Sequence, residues 1–211
     1  MSDERFGGIA RLVSATGLAR LRAAHVCVVG IGGVGSWAVE ALARSGVGAL
    51  TLIDLDEVCV TNVNRQLHAL DGTVGRAKVD VMAERVRLIS PDCRVTAVAE
   101  FFTEANADRL LAPGLSAVVD AIDALGNKSR LLALCRQRAL PVVACGAAGG
   151  RLDPTAVRLA DLADASHDRL LAQVRKRLRH EFGFPAAGQP FGVAAVFSAE
   201  TPVLPEPPGC G

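Results

Sequence analysis

The chain has 211 residues, 50% of them hydrophobic and 21% charged, with a formal net charge of +1. This is globular composition for one sizeable domain, or a domain with an appendage, and it offers no global basic field for nucleic acid. The absence of tyrosine and an aromatic content of 4% disfavour a base-stacking platform.

Cys27, Cys59, Cys93, Cys135, Cys145 and Cys210 include no CxxC pair, so the usual structural zinc pattern is not expected. Cys27, Cys135 and Cys145 read as buried small hydrophobes, and with no disulfide framework a reducing cytoplasm is the expected location. The opening MSDERFGGIARL lacks the apolar core of a secretory signal, and no run of 18 apolar residues marks a membrane span.

Residues 5–24 read as short helices before the first strand, with Leu12, Leu18 and Leu21 facing inward and Arg5 and Arg11 solvated. Residues 26–29 are an apolar strand, 34–45 a helix closed by Gly46 and Gly48, and 49–53 a second strand. Residues 54–73 form a long polar loop, a length that marks function or disorder in a compact domain. Val79, Met82, Val86 and Ile89 recur at helical spacing, which predicts a helix over 74–90 that Pro91 stops. A strand over 95–99, a short helix over 104–112, a strand over 117–122, a helix over 126–139 and a strand over 141–145 follow. Beyond a flexible GAAGG turn come a strand near 155–159, an amphipathic helix over 166–182, a strand over 193–198 and an irregular proline-rich tail.

Strands alternate with helices, and the strands are continuous apolar runs, as when both faces are covered. The predicted fold is α/β: a Rossmann-like, doubly wound, mostly parallel sheet with helices on both faces, plus a C-terminal helical and extended extension. Residues 1–160 are read as the nucleotide-binding domain and 161–211 as the extension. Ligands of such sheets bind beyond the carboxyl ends of the strands, which is where the loops after Ile53 and Ile122 leave.

The first of those ends carries Gly30-x-Gly32-Gly33-x-Gly35 between strand and helix, and Asp54 follows 19 residues after Gly35. Gly30 permits the tight turn, Gly32 admits a phosphate to the backbone, and Gly35 lets the helix pack on the strand. The helix N-terminus then offers N–H groups and a positive dipole end to an anion. By itself this fingerprint favours NAD, with Asp54 on a ribose hydroxyl. A dehydrogenase needs no second acid at Asp56 and no cluster of Asn62, Asn64, Arg65 and Gln66, whereas a triphosphate does. Lys78, in the first turn of a helix, can serve phosphates as a point charge; the alternative is a solvated lysine. In the second loop Asp123 could carry Mg²⁺ bridging phosphates, unless Asp123 or Asn127 caps the following helix. Asp120 lies deeper in its strand and reads as structural, hydrogen-bonding a neighbouring loop.

GIGGVGS, DLDEVxxxNxNRQ, GRAKVD and DAID occur in order, and together they resemble the ubiquitin-activating-type adenylyltransferase superfamily over residues 5 to about 160. The superfamily includes enzymes acting on the molybdopterin-synthase and thiamine sulfur carriers. RFGGIARL, CGAAGGRLDPT and VFSAE are similar to its tRNA threonylcarbamoyladenosine dehydratase branch, which, like this chain, lacks the paired CxxC zinc site. The resemblance implies ATP and Mg²⁺ as cofactors, with Gly32 and Gly33 at the phosphates and Asp54 on the ribose. Asn64, Arg65 and Gln66 would surround the phosphates and the reacting carboxylate, Lys78 would hold phosphates, and Asp123 would bind the metal. Gly30, Asp56 and Asn127 complete the implied nucleotide-binding set. The implied reaction activates the threonyl carboxylate of threonylcarbamoyladenosine beside the tRNA anticodon. A nitrogen of the same modification then closes a ring with loss of water. Closure on one base is effectively unimolecular and requires no protein nucleophile, and His68 reads as a loop residue rather than a base.

The implied partners are tRNA, a second copy of the chain and sulfur-transfer proteins, with Arg5 or Arg11 as the arginine offered to the partner's ATP. Arg169, Arg175, Lys176, Arg177 and Arg179 on the helix at 166–182 are the candidate tRNA-facing charges, the alternative being a solvated face. Family members continue past the end of this sequence, so the extension is expected to be a shortened one. The competing readings are adenylation of the C-terminus of a small ubiquitin-like sulfur carrier, a non-catalytic nucleotide sensor, and an NAD-dependent oxidoreductase.

Overall fold

The structure is a computed structural model describing residues 2–203. Its strands are β1 (His25–Val29), β2 (Ala49–Ile53), β3 (Arg94–Val98), β4 (Ala117–Asp120), β5 (Val142–Cys145), β6 (Val157–Asp161) and β7 (Ala194–Ser198). Its α-helices are α1 (Ser2–Arg5), α2 (Gly7–Ala23), α3 (Gly35–Arg44), α4 (Lys78–Ile89), α5 (Ala107–Leu110), α6 (Leu125–Gln137) and α7 (Arg169–Phe182). The strands form one sheet in the order β3-β2-β1-β4-β5-β7-β6. All neighbours run parallel except β6 and β7, which pair antiparallel at one edge.

The pleat of β1 divides the core. Val26 and Val28 point to the layer of α3 and α4, where Val39, Val79, Met82 and Val86 are buried. Cys27 and Val29 point the other way, to Leu131, Leu132, Leu171, Val174 and Leu178 of α6 and α7. Each fully buried side chain of this size contributes roughly 1.5–3 kcal/mol, so a β1 apolar on both sides commits the chain to helices on both faces. That expectation holds for β1 and β2; β3 and β6 are edge strands with no fully buried residue, β3 keeping Val95, Ala97 and Val98 half-buried against the core. The strand order reverses between β1 and β4, which opens a crevice at their carboxyl ends. The expected division at 160/161 falls inside β6, and β7 and α7 complete the sheet and core begun by the earlier residues.

Several boundaries move for stated reasons. The helix expected from residue 74 begins at Lys78, because the chain before it pairs with the start of the polar loop. Val58 N–H donates to Arg76 O at 2.8 Å, Gly75 N–H to Val58 O at 2.9 Å and Lys78 N–H to Asp56 O at 3.0 Å. The strand expected to reach Ile122 ends at Asp120, where Ala121 makes its last bond to Val29 O. Leu12 is 80% exposed rather than inward, since α2 breaks at Ser14 (φ 70) and only the part beyond it carries Leu18 into the core. Arg5 is exposed, as expected, and also donates its Nη1 to Ile89 O at 2.7 Å, satisfying a carbonyl at the end of α4. Cys210 and most of the proline-rich tail lie outside the described residues.

Candidate active site

The glycine turn is built by close approach. Gly30 has φ +89, and a Cβ there would stand 2.7 Å from Ala121 O at the end of β4. A Cβ on Gly35 would stand 1.7 Å from Gly30 O, so the first turn of α3 packs directly on the strand end. The peptide groups flanking the turn are held from both sides. Ile31 N–H donates to Asp54 Oδ2 at 2.6 Å, and Ile31 O lies 2.7 Å from His68 Nε2. His68 is 1% exposed, and burial lowers its pKa. A neutral imidazole donating from Nε2 fits, which leaves the buried Nδ1 without a partner among the described residues. His68 is therefore a loop residue, as expected, and also a fixing point of the phosphate-type turn. Asp54 Oδ1 accepts the Asp56 N–H at 2.8 Å.

Beyond these ends lies a cavity of about 890 Å³. Gly30, Gly32, Gly33, Asp54, Asp56, Arg65, Gln66, Lys78, Asp123 and Asn127 all line it. Arg65 lies along Gly33, where a Cβ would meet its Cγ at 3.5 Å. Its Nη1 donates to Thr61 O at 3.0 Å and Asn64 Oδ1 at 2.9 Å, and its carbonyl accepts from Trp37 Nε1 at 3.1 Å. Gln66 is 8% exposed, with Oε1 buried and unpaired among the described residues. Lys78, 5% exposed, reaches Asp56 Oδ2 with Nζ at 2.7 Å.

Asn64 is the exception. It does not line the cavity but holds Arg65 from outside. Asn62 lines it instead: it ends a 3₁₀ turn (Val60–Asn62), accepts the Cys59 N–H with Oδ1, and takes the Arg65 and Gln66 N–H groups on its carbonyl. Asn62 closes the turn and faces the cavity while Asn64, two residues on, does not, and spacing alone does not carry that difference.

On the opposite wall α6 starts at Ala124 as N-cap with no side-chain cap, so neither Asp123 nor Asn127 is used up in capping. Asp123 is exposed and has no hydrogen bond or ion pair with the other described residues. Beneath it Asp120 and Lys128 are both 0% exposed, with Nζ 2.8 Å from Oδ2. The directed hydrogen bonds of the ammonium go to carbonyls, that of Ile122 at 3.1 Å and, more weakly, that of Asp120 at 3.5 Å, so the contact with Oδ2 is chiefly ionic. Burial pushes the Asp120 carboxyl above its ordinary range, with Lys128 opposing the shift. Asp120 is structural as expected, but its partner is a buried lysine eight residues on as well as the Ile122 N–H.

Sequence reasoning did not single out Glu100, Phe101 and Phe102, which follow the carboxyl end of β3 and line the cavity. The rule that ligands sit at such ends was the available signal. Phe101 is 53% exposed and gives an apolar wall, while Glu100 is held by Arg109 and Asn106. Cys145 is half-buried rather than buried and also lines the cavity; burial pushes its thiol up to about 11. Among the described residues no group of three or more metal-ligating side chains occurs. Arg5 and Arg11 do not line the cavity.

The cationic side of α7 is only partly available. Arg179 stacks over Phe191, 4.9 Å from the ring centroid, and donates to Pro185 O. Arg177 pairs with Glu181 at 2.9 Å, and Arg175 is half-buried. Arg169 and Lys176 alone of the five are exposed. No helix among the described residues is long and apolar enough to cross a membrane.

Comparison with known proteins agrees with this arrangement. The ThiF family model matches residues 8–176. A tRNA threonylcarbamoyladenosine dehydratase of Escherichia coli (strain K12) is 52% identical over 207 residues, covering 98% of this chain and 77% of that protein. One from Bacillus subtilis (strain 168) is 43% identical over 188 residues, covering 89% and 72%. The crystal structure of the Escherichia coli enzyme in complex with ATP superposes with a TM-score of 0.94 at 52% identity, covering 96% of this chain and 84% of that one. The chain belongs to the ThiF family, in the branch formed by the tRNA threonylcarbamoyladenosine dehydratases.

Proposed function

We propose that this protein uses ATP to dehydrate threonylcarbamoyladenosine in tRNA, closing a ring within the modified base. The observation that carries the reading is one cavity, lined by the glycine turn, Arg65, Lys78 and Asp123, in a chain 52% identical to an enzyme of that name. The threonyl carboxylate attacks the α-phosphorus of ATP and pyrophosphate leaves. A nitrogen of the carbamoyl group then attacks the acyl carbon, AMP departs with the oxygen the carboxylate brought, and the nitrogen's proton passes to solvent. Adenylyl rather than phosphoryl activation is supported by ThiF-type relatives named adenylyltransferases and by a crystal structure of the Escherichia coli enzyme in complex with AMP.

The residues divide the work. N–H groups at Gly32 and Gly33 and the start of α3 receive phosphate oxygens. Asp54 keeps lone pairs for a ribose hydroxyl while accepting from Ile31 and Asp56. Lys78 donates one proton to Asp56 and has two more for phosphate. Arg65 and Gln66 stabilise the charge that develops as pyrophosphate leaves, and Asn64 positions Arg65. Asn127 shares the wall with Asp123. An Mg²⁺ ion would neutralise phosphate charge, and it fits Asp123: magnesium takes one or two carboxylates plus substrate oxygens, and this carboxylate has no protein partner among the described residues. Ring closure within one modified base is intramolecular and needs no protein nucleophile, and burial keeps Cys145 a neutral thiol.

The enzyme works in the cytoplasm as a homodimer, with the exposed Trp37, Val60 and Val63 as apolar surface for a second copy. The test incubates tRNA carrying threonylcarbamoyladenosine with the protein and ATP–Mg²⁺, digests it and weighs the nucleosides. A mass lower by one water is expected. An unchanged nucleoside, with ATP–pyrophosphate exchange that depends on a sulfur-carrier protein, would replace this reading by carrier adenylation.

A further inference from the structure

A second cavity, of about 320 Å³, adjoins the first. Its size falls at the lower end of small-molecule pockets, roughly 300–1,000 Å³. The two share Val34 and residues 145–148. Val34 is the N-cap of α3, next to Gly33, while Asp54 and Asp56 line the larger cavity only. The smaller cavity therefore meets the larger at its glycine-turn end and away from its ribose-binding acids. Its other walls are mainly apolar and come from the antiparallel edge: Val157 of β6, and Val196 and Phe197 of β7. Leu152 and Val157 leave 76% and 51% of their surface uncovered among the described residues.

The polar lining residues are Ser198, Asp153, whose Oδ1 accepts from the Thr155 N–H and hydroxyl, and the one cation, Arg151. Its two terminal nitrogens donate to the carbonyls of Glu200 and His167, which fixes the guanidinium. Its Nε is buried and has no acceptor among the described residues. A fixed cation set in mainly apolar walls beside the phosphate end of a nucleotide cavity suits a flat apolar group that bears a carboxylate.

We propose that this second cavity receives the threonylcarbamoyl-bearing adenine of the tRNA, with Arg151 drawing its carboxylate into the cavity; this rests on the function proposed above. The purine plane packs on Val157, Val196 and Phe197, and the carboxylate crosses the Gly146–Ala148 backbone to the nucleotide. ATP then occupies the larger cavity alone.

The test is Val157→Trp, which fills the cavity from a half-exposed position, with Leu159→Trp as control. Leu159 lies on the same strand, 70% exposed and outside the cavity. With tRNA titrated at saturating ATP, Val157→Trp should raise the KM for tRNA at least tenfold, leave the Kd for ATP within twofold and keep the wild-type melting temperature. Leu159→Trp should match the wild type. An unchanged KM for tRNA in folded Val157→Trp, or an equal loss of ATP affinity, overturns the proposal. Should Val157→Trp not fold, Leu152→Asp at the exposed rim places a charge that repels the carboxylate. The same tenfold rise is then expected, and its absence overturns the proposal. If the wild type itself yields no dehydrated nucleoside, the proposed function fails first and the subsite falls with it.

Discussion

Lys78 Nζ stands 2.7 Å from Asp56 Oδ2, but the two are unequally covered: the lysine side chain is 7% exposed and the aspartate 54%. The pair brings a sheltered cation to the mouth of the nucleotide cavity and leaves its counter-ion in water, where the attraction is screened. Lys78→Met keeps the buried stem and removes the charge. Turnover should fall by roughly 100-fold or more, the scale for losing one stabiliser of developing charge. The melting temperature should stay near wild type. Normal turnover in this variant would remove Lys78 from the phosphate site.

Arg65→Ala and Asp123→Ala alter exposed side chains whose removal opens no core cavity. Each should abolish turnover, by about 100-fold or more, while circular dichroism and thermal unfolding remain wild-type. Asp123→Ala should in addition lose its response to Mg²⁺ titration. A variant that stays active would show that its residue only lines the cavity.

The glycine turn should separate stability from binding. A methyl group at Gly35 collides with Gly30 O at 1.7 Å, so Gly35→Ala should cost at least about 3 kcal/mol, the upper range for overpacking. At Gly32 the nearest atom is Gln66 Nε2 at 3.9 Å, so Gly32→Ala should fold normally and lose ATP affinity. Thermal unfolding with and without ATP measures both effects. A stable Gly35→Ala would contradict the packing described for α3.

His68 predicts a pH dependence of stability. Burial, the largest cause, holds its pKa below the ordinary 6.5 despite the bond to Ile31 O. The unfolded chain therefore binds the proton more readily than the folded one, and stability is lost as pH falls from about 6.5 toward the depressed folded value. His25 is lowered as well and contributes in the same direction. His68→Gln retains a donor for Ile31 O but does not titrate. Its melting temperature should fall less than that of the wild type between neutral and mildly acidic pH. Parallel curves would show that the imidazole is not neutral in the fold.

The helix α7 gives a prediction that the sequence alone did not. Arg169 and Lys176 are its exposed cations, whereas Arg179 is packed on Phe191. Arg169→Ala with Lys176→Ala should lower the slope of log affinity for tRNA against log salt by about 1–2, with ATP affinity intact. Arg179→Ala should instead lower the melting temperature. An unchanged salt slope would move tRNA binding to another face.

What was legible in the sequence was what is local along the chain. The glycine turn, Asp54 and the pattern of two-sided strands depend on neighbours a few residues away, and they led to the fold and to the glycine-turn end of the cavity. Lys78 was legible as a lysine near a helix start, although the helix begins at Lys78 itself rather than at residue 74. What escaped depends on contacts across the fold. His68 acquires its role from Ile31, 37 positions earlier, and no spacing announces that pairing. Asn62 and Asn64 are equivalent in composition and differ only in how a 3₁₀ turn rotates them. The basic run of α7 looked like one solvated surface because the sequence does not show that Phe191 folds back beneath Arg179.

The sealed contact of Asp120 with Lys128 constrains how this chain can change over time. Both side chains are wholly out of solvent, and exchanging one alone would strand the other's charge, a loss on the order of 3–5 kcal/mol. A pair of neutral residues of matching volume could fill the space at little loss, but only if both exchanges arrived together. Single-step drift is therefore blocked under Asp123. The ground beneath Asp123 should hold still while the exposed rim at Leu152 diverges.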